Sequence, residues 1–350
     1  MITKTLKVRV KDRHAGFLRQ GAREVNLVWN YVNDLGVRYL RREGVFLSGY
    51  DLQKYTKGAS RLLVIDSTAI QVICEEYATR RRQFKKTKLA WRKSHGVRRS
   101  LGWIPFKSGA ATWGNGQVKY AGQHFKVFDS YGLSQYRFRA GSFSEDARGR
   151  WYFNVVVEIE PKKGLGQGAV GIDLGCKAAA TDSNGEGVRG REYRKLEKQL
   201  ACAQRAKNKA RVKAIHAKIR NRRQDSLHKY SRKLVNENAA IFVGNVSSQK
   251  LVKTHMAKSV LDAGWSTLKR MMSYKSAHAG IVFREVNEAN TTVTCSECKS
   301  HTGPRGLEGL RIRGWRCEVC GTHHACRDRN SAINILAAGL SRLDGEKVAA

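Results

Sequence analysis

The sequence predicts an α+β multidomain chain: a β-rich N-terminal part interrupted by helices, then a mixed α/β part with an inserted metal-binding ribbon. Three observations predict it. Two Cys-x-x-Cys knuckles, Cys295/Cys298 and Cys317/Cys320, are separated by 18 residues, the spacing that sets two thiolates on each of two tight turns. The elements on either side of the knuckles each carry an acid, with strand-like GIVFREV running up to Glu288 and helix-like DRNSAINIL starting at Asp328. The apolar residues recur at helical spacing over residues 13–95 and change to period two over 101–160.

The totals narrow the class. At 350 residues, two or three domains and a sizeable core are expected. Sixty-six Lys and Arg stand against 29 Asp and Glu, a formal charge of +37. Such a charge calls for a polyanion, nucleic acid first and a membrane surface second. No apolar run approaches the ~18 residues of a spanning helix, and Met1-Ile2-Thr3-Lys4 opens no signal peptide. The cysteines outside the knuckles, Cys74, Cys176, Cys202 and Cys326, are scattered. That excludes a secreted disulfide framework, and the cytoplasm of a prokaryotic cell is the expected location.

Residues 1–10 alternate as a short strand. From Arg13 to Glu43, Leu18, Val25, Val28, Trp29, Val32 and Leu35 mark a helix. A second helix is expected to start at the cap-like Asp66-Ser67-Thr68 and to bury Ile70, Ile73 and Tyr77. Its continuation turns cationic from Arg80 to Lys93, interleaved with Phe84 and Trp91. A solvated face is the plain reading of such a run; the overall charge favours a phosphate-binding surface. Residues 101–160 read as an antiparallel β unit, a small barrel that the first strand returns to join. Trp103, Phe106, Tyr120, Phe125, Tyr136 and Phe138 could stack on bases there, although aromatics in such a unit are more often core.

Pro161-Lys162-Lys163-Gly164 reads as a linker. AVGIDLGCKAAATDSNGEGV then gives a buried strand, a hairpin strand and a Ser-Asn-Gly turn. Asp173 in that buried strand needs a reason, and an acid there is the central metal ligand of a ribonuclease-H-like fold. Arg191 to Val243 lacks Gly and Pro, and Leu196, Leu200, Ala203, Val212, Ile215 and Ile219 follow helical spacing. A long basic helix or helical hairpin is expected, followed by the buried strand AAIFVGN. Residues 251–279, with Trp265, Leu268, Met272 and Tyr274, form a further helical region before GIVFREV.

This order, from an acid-bearing strand to an acid-bearing final helix, is the plan of a RuvC/ribonuclease-H-like nuclease domain. Its chemistry is phosphodiester hydrolysis by two divalent cations held by carboxylates. Mg²⁺ suits those hard oxygens. One Zn²⁺ in the ribbon would be structural, since four thiolates leave no open position for water.

GIDLG, AKSVLDAGW, NEANTTVTCSEC, WRCEVCG and RDRNSAINIL together resemble TnpB, the transposon-encoded RNA-guided nuclease family related to type V CRISPR effectors. The resemblance is dense from Lys162 to Leu343 and weaker before. It implies a wedge β-barrel over residues 1–12 and 96–162, interrupted by a helical recognition lobe over 13–95. A RuvC-like domain over 163–290 and 326–350 would carry the zinc ribbon at 291–325. The implied partners are a noncoding guide RNA from the element and a double-stranded DNA target beside a short adjacent motif. No membrane is implied, and the chain would be a monomer or weak dimer.

Carried over by motif, Asp173 matches the first catalytic acid and Asp328 the third, and Cys295, Cys298, Cys317 and Cys320 match the zinc ligands. The second acid has no match, because its position holds Gly244. One reading relocates it to Glu288, on a strand end that should lie about 4.8 Å away, with Glu285 a poorer candidate. Asp173, Glu288 and Asp328 would then be catalytic and hold magnesium. The other reading is a nuclease-inactive, RNA-guided DNA-binding repressor, and a third is a DDE-like transposase acting without RNA. Retention of Asp173 and Asp328 favours the active nuclease. His324 and Cys326 are taken as non-ligands, and Arg327 either lies near scissile phosphate or pairs with a core acid.

Overall fold

Alternation of apolar and polar side chains makes Ile2–Val10 a strand, β1, whose Leu6, Val8 and Val10 are buried. The computed structural model describes residues 2–161, 164, 166–246, 257–309 and 311–349. It divides the chain into two units, Met1–Ile159 and Glu160–Ala350. Lys162 and Lys163 of the expected linker lie outside the described residues.

In the first unit, β1 is followed by helix α1 (Ala15–Glu43), which buries Leu18, Val25, Val28, Trp29 and Val32 and stops at Gly44 in the left-handed region, φ 71°. A short helix that the sequence reading omits, α2 (Gly49–Thr56), is set by a capping box between Ser48 and Asp51. Helix α3 (Ser67–Phe84) starts where expected, with the Asp66 carboxylate accepting the Ala69 N–H at 2.8 Å. It does not continue into the cationic run. Lys85 is left-handed, φ 50°, and the chain leaves the helix there.

Beyond it the chain is held against α1 by three asparagines spaced one turn apart. Asn33 exchanges two hydrogen bonds with the Leu89 backbone, at 2.8 and 3.1 Å. Asn30 does the same with Arg92, at 2.9 and 2.8 Å. Asn26 accepts from Arg92 Nε at 2.6 Å and donates to Ser94 Oγ at 3.1 Å. The Asn30 and Asn33 amides satisfy backbone groups that no strand partner serves. The basic segment is therefore an ordered strap.

Seven strands complete the unit: β2 (Trp103–Phe106), β3 (Ala111–Gly114), β4 (Gln117–Tyr120), β5 (Gln123–Phe125), β6 (Val127–Phe128), β7 (Phe138–Glu145) and β8 (Trp151–Ile159). They form a five-stranded sheet in the order β2-β7-β8-β1-β6 and a three-stranded sheet β3-β4-β5. The first strand does return, pairing antiparallel with β8 from Ile2↔Ile159 to Arg9↔Tyr152. Phe106, Tyr120, Phe125 and Phe138 are core residues of this unit, not stacking platforms. The Phe125 and Phe143 rings lie 5.0 Å apart and Phe106 stacks on Phe153 at 5.6 Å. Only Trp103 and Tyr136 of the six candidates keep partial exposure.

The second unit is a mixed α/β fold. Its strands are β9 (Gly168–Asp173), β10 (Ala178–Asp182), β11 (Gly187–Arg189), β12 (Asn238–Gly244) and β13 (Val282–Val286). They stand in the order β11-β10-β9-β12-β13, the first three antiparallel and β9, β12 and β13 mutually parallel. The basic region is a helical hairpin, α4 (Glu197–Arg205) and α5 (Lys209–Glu237). Part of the helical region expected over 251–279 lies outside the described residues; the rest is α6 (Ala257–Ala263) and α7 (Trp265–Ala279), broken at left-handed Gly264. After a one-turn helix, α8 (Gly306–Gly309), the last helix, α9 (Arg327–Ala349), lies on β9. Gly171 permits that approach, since a Cβ there would come 2.1 Å from the Ala332 carbonyl. Asp173, Gly244 and Val286 end their parallel strands at one edge of the sheet, where such sheets hold their ligands.

Candidate functional site

Asp173 closes β9 and keeps some access to solvent. The packing of α9 on that strand sets Ser331, fully buried, with its hydroxyl donating to Asp173 Oδ1 at 2.9 Å. Burial pushes the Asp173 carboxyl up to about 7; the Ser331 bond opposes this, the Asp328 and Glu288 charges add to it, and Arg327 opposes it. The charges of Asp328 and Glu288 thus both act on Asp173.

Gly244 and Val286 are register partners on β12 and β13, and Glu288 lies two residues beyond. A Cβ built on Gly244 would fall 2.3 Å from Glu288 Oε2 and 3.2 Å from its Cβ. The Glu288 side chain occupies the space that a residue at 244 would use. Burial raises its carboxyl above the ordinary range, against the pull of Lys269 and the Val246 N–H. Glu285, by contrast, is exposed and paired with Lys269 at 2.6 Å.

Asp328 lies in the first turn of α9, and both its oxygens accept from Arg313 Nη1, at 2.8 and 2.7 Å. Arg327 is buried, its Nη1 donates to the Gly309 carbonyl at 2.6 Å, and it forms no ion pair with an acid among the described residues. Among the described residues only the four knuckle cysteines place their ligand atoms all within 4.8 Å of one another. The three carboxylates share an edge of the sheet but not a common ligand point.

The ribbon cluster fits a tetrahedral metal. Sulfur pairs Cys295–Cys320 and Cys298–Cys317 lie 3.7 and 3.6 Å apart. Zn–S bonds of ~2.3 Å give tetrahedral edges of about 3.8 Å. Hydroxyls of Ser300 and Thr302, 3.3 and 3.2 Å from Cys317 Sγ, pull that thiol down to about 5 and favour the thiolate. Strands β14 (Trp315–Arg316) and β15 (His323–His324) pair antiparallel beside it. The His324 ring lies 4.5 Å from that of Trp315, tilted by 31°, with Nε2 3.2 Å from Cys295 Sγ, yet it is outside the four-sulfur set, as is Cys326.

The motif reading does not single out the residues that join ribbon to helix. Asn330 Oδ1 accepts the Ser296 N–H at 2.9 Å, and Asn330 and Asn334 both donate to the Thr294 carbonyl, at 2.8 and 2.7 Å. Thr291 donates to the Glu288 carbonyl at 2.8 Å and lies 2.9 Å from Ser331 Oγ. Their signal was polar residues at 330, 331 and 334 on the face of an otherwise apolar helix.

Comparison with known proteins agrees with these motifs. A family model described as "Probable transposase" matches residues 153–255, and one described as "Cas12f1-like, TNB domain" matches residues 265–335. A provisionally named RNA-guided DNA endonuclease from Streptomyces pristinaespiralis is 34% identical over 57% of this chain and 52% of its own length. InsQ of Escherichia coli (strain K12), with the same provisional description, is 29% identical over 55% of this chain and 54% of its own. CRISPR-associated endodeoxyribonuclease Cas12f1 of Sulfoacidibacillus thermotolerans is 23% identical over 58% and 54%. The chain therefore spans about half the length of the curated relatives it matches. A Cas12f1–sgRNA–target DNA complex overlays 96% of this chain and 99% of its own at 16% identity, with a TM-score of 0.39. These comparisons agree with the resemblance read from the motifs: parts of this chain are similar to provisionally named RNA-guided DNA endonucleases and to Cas12f1.

Proposed function

We propose that the protein is an RNA-guided DNA endonuclease that cuts a double-stranded target beside a short adjacent motif. One observation carries the reading: the Glu288 carboxylate fills the side-chain space of Gly244. A glycine at the second-acid position, taken alone, would suit a repressor that binds without cutting. With Glu288 in its place, the edge of the sheet keeps three acids. The relatives' names point the same way.

In this reading residues 163–290 and 326–350 of the second unit are the RuvC/ribonuclease-H-like domain, with the ribbon at 291–325. The strand order β11-β10-β9-β12-β13 supports it. Residues 1–12 and 96–162 would be the wedge barrel and 13–95 the helical recognition lobe, supported by the insertion of α1–α3 between β1 and β2. Asp173, Glu288 and Asp328 would hold magnesium, whose hard-ion preference matches three carboxylates. Bound Mg²⁺ would supply Lewis acidity at the scissile phosphate and a more acidic water. Ser331 orients Asp173 by engaging Oδ1 alone, and release of Asp328 from Arg313 would free both its oxygens. The ribbon zinc would be structural.

The test uses protein co-expressed with the RNA of its flanking element, Mg²⁺, and plasmids carrying a guide-matched target beside randomised sequence. Wild type should cleave, and Asp173→Ala or Glu288→Ala should lower the rate by ~10³-fold or more while guided binding persists. Guide-dependent plasmid retention without cleavage by wild type would sink the nuclease in favour of the repressor.

A further inference from the structure

The first unit contains a cavity of about 400 Å³ between α1, the strap after α3 and the start of β8. That is within the ~300–1,000 Å³ range of small-ligand clefts. Arg19, Arg23, His95, Arg99, Glu145 and Trp151 line it. Arg99 is fixed by two bonds to Glu145, at 2.7 and 2.8 Å, and the Glu145 carboxylate also accepts the Gly102 N–H at 3.0 Å. Glu145 is thereby neutralised. Arg19 and Arg23, one helical turn apart on α1, are exposed and make no ion pair among the described residues, although the Arg19 charge also acts on Glu145. Three arginines against one glutamate leave two positive charges unbalanced in one concavity. The indole N–H of Trp151 is buried and has no hydrogen-bond partner among the described residues.

The walls are built before any ligand arrives. Asn26 bonds Ser94, a lining residue, and anchors the strap through Arg92; Asn30 and Asn33 hold the same strap further along α1. A preorganised, positively charged concavity of this size fits a phosphate-bearing anion.

We infer that this cavity binds one phosphate-bearing nucleotide of a single-stranded nucleic acid, with Arg19 and Arg23 on the phosphodiester. The inference rests on the proposal that the protein works with nucleic acid, and it deepens it by assigning a place where one nucleotide is seated. The plain alternative is diffuse attraction by a chain of charge +37. The two differ in what a local substitution does.

The experiment measures binding of labelled oligouridylate, and of oligothymidylate of equal length, to the full chain across a salt series. Arg19→Gln/Arg23→Gln is compared with Lys57→Gln/Arg61→Gln, which removes two exposed cations of the same unit outside this cavity. The cavity pair should weaken oligouridylate about tenfold and lower the salt slope by about 1.4, two contacts at ~0.7 each. The comparison pair should change both far less. A 4-thiouridine strand should cross-link to the peptide carrying His95 and Arg99 or to that carrying Trp151. Loss with both oligomers would assign the site to the phosphodiester chain, and loss with oligouridylate alone to RNA; either supports the cavity. Equal losses from the two pairs, or cross-links mapping only elsewhere, overturn the cavity and leave the nucleic-acid reading standing. Failure of wild type to bind either strand overturns both.

Discussion

Two side chains at the sheet edge carry consequences that a contact inventory would miss. Gly244→Ala adds one methyl group, which would fall 2.3 Å from Glu288 Oε2. The atom it meets is the far end of a flexible side chain, so the carboxylate can swing aside. Thermal stability should hardly change while guided cleavage falls by ~10-fold or more, since a misplaced group loses its effect over ångström distances. Unchanged cleavage in Gly244→Ala would show that Glu288 need not occupy this space. Asp173 gives a pH signature. Its carboxyl is raised from 3.8 to about 7, so between those values the folded protein holds a proton that the unfolded chain has lost. Stability from this group therefore falls as pH rises through that window. Metal-free Asp173→Asn should melt higher than wild type at about pH 8, with the difference shrinking toward about pH 4. A constant difference across pH would mean that Asp173 is not destabilised in its charged form. Asp173, Asp328 and the cysteines were legible in the sequence because each stands in a local motif. Ser331 and Thr291 were not, because their partners lie 158 and 40 residues away.

The elements show a similar division. Helices and strands with strong periodicity were legible, including the Asp66 cap and the return of β1 to β8. The end of α3 was not. The cationic residues after Phe84 suit a helix, and what defeats it is tertiary: asparagines on α1 offer the strap's backbone another set of partners. The ribbon and α9 are joined by side-chain hydrogen bonds. Asn330 and Asn334 reach the loop of the first knuckle, and α9 also carries Asp328 and Ser331. Cys317→Ser should therefore lower cleavage by ~10-fold or more although no acid is touched, because loss of a metal ligand loosens the loop on which α9 is seated. The change should coincide with loss of one bound zinc per chain, counted by a thiolate-displacement assay. Full cleavage with zinc lost would separate the ribbon from the acids.

At the scale of the whole molecule, the charge of +37 points to a polyanion as partner, but charge alone does not say where contact would be local. Cations that close on carboxylates, such as Arg99 on Glu145 and Arg313 on Asp328, look the same in the sequence as those left open at Arg19 and Arg23. Only folding sorts them. The pairing of β1 with β8 has a further consequence, for biosynthesis. Ile2 meets Ile159, so β1 leaves a ribosome some 150 residues before its main neighbour is made. Helices α1 to α3, whose contacts are closer in sequence, can consolidate in the interval. Closure of the sheet is then the late event that locks in the N-terminal unit. Until then the apolar face of β1 is a surface for chaperones to cover during translation.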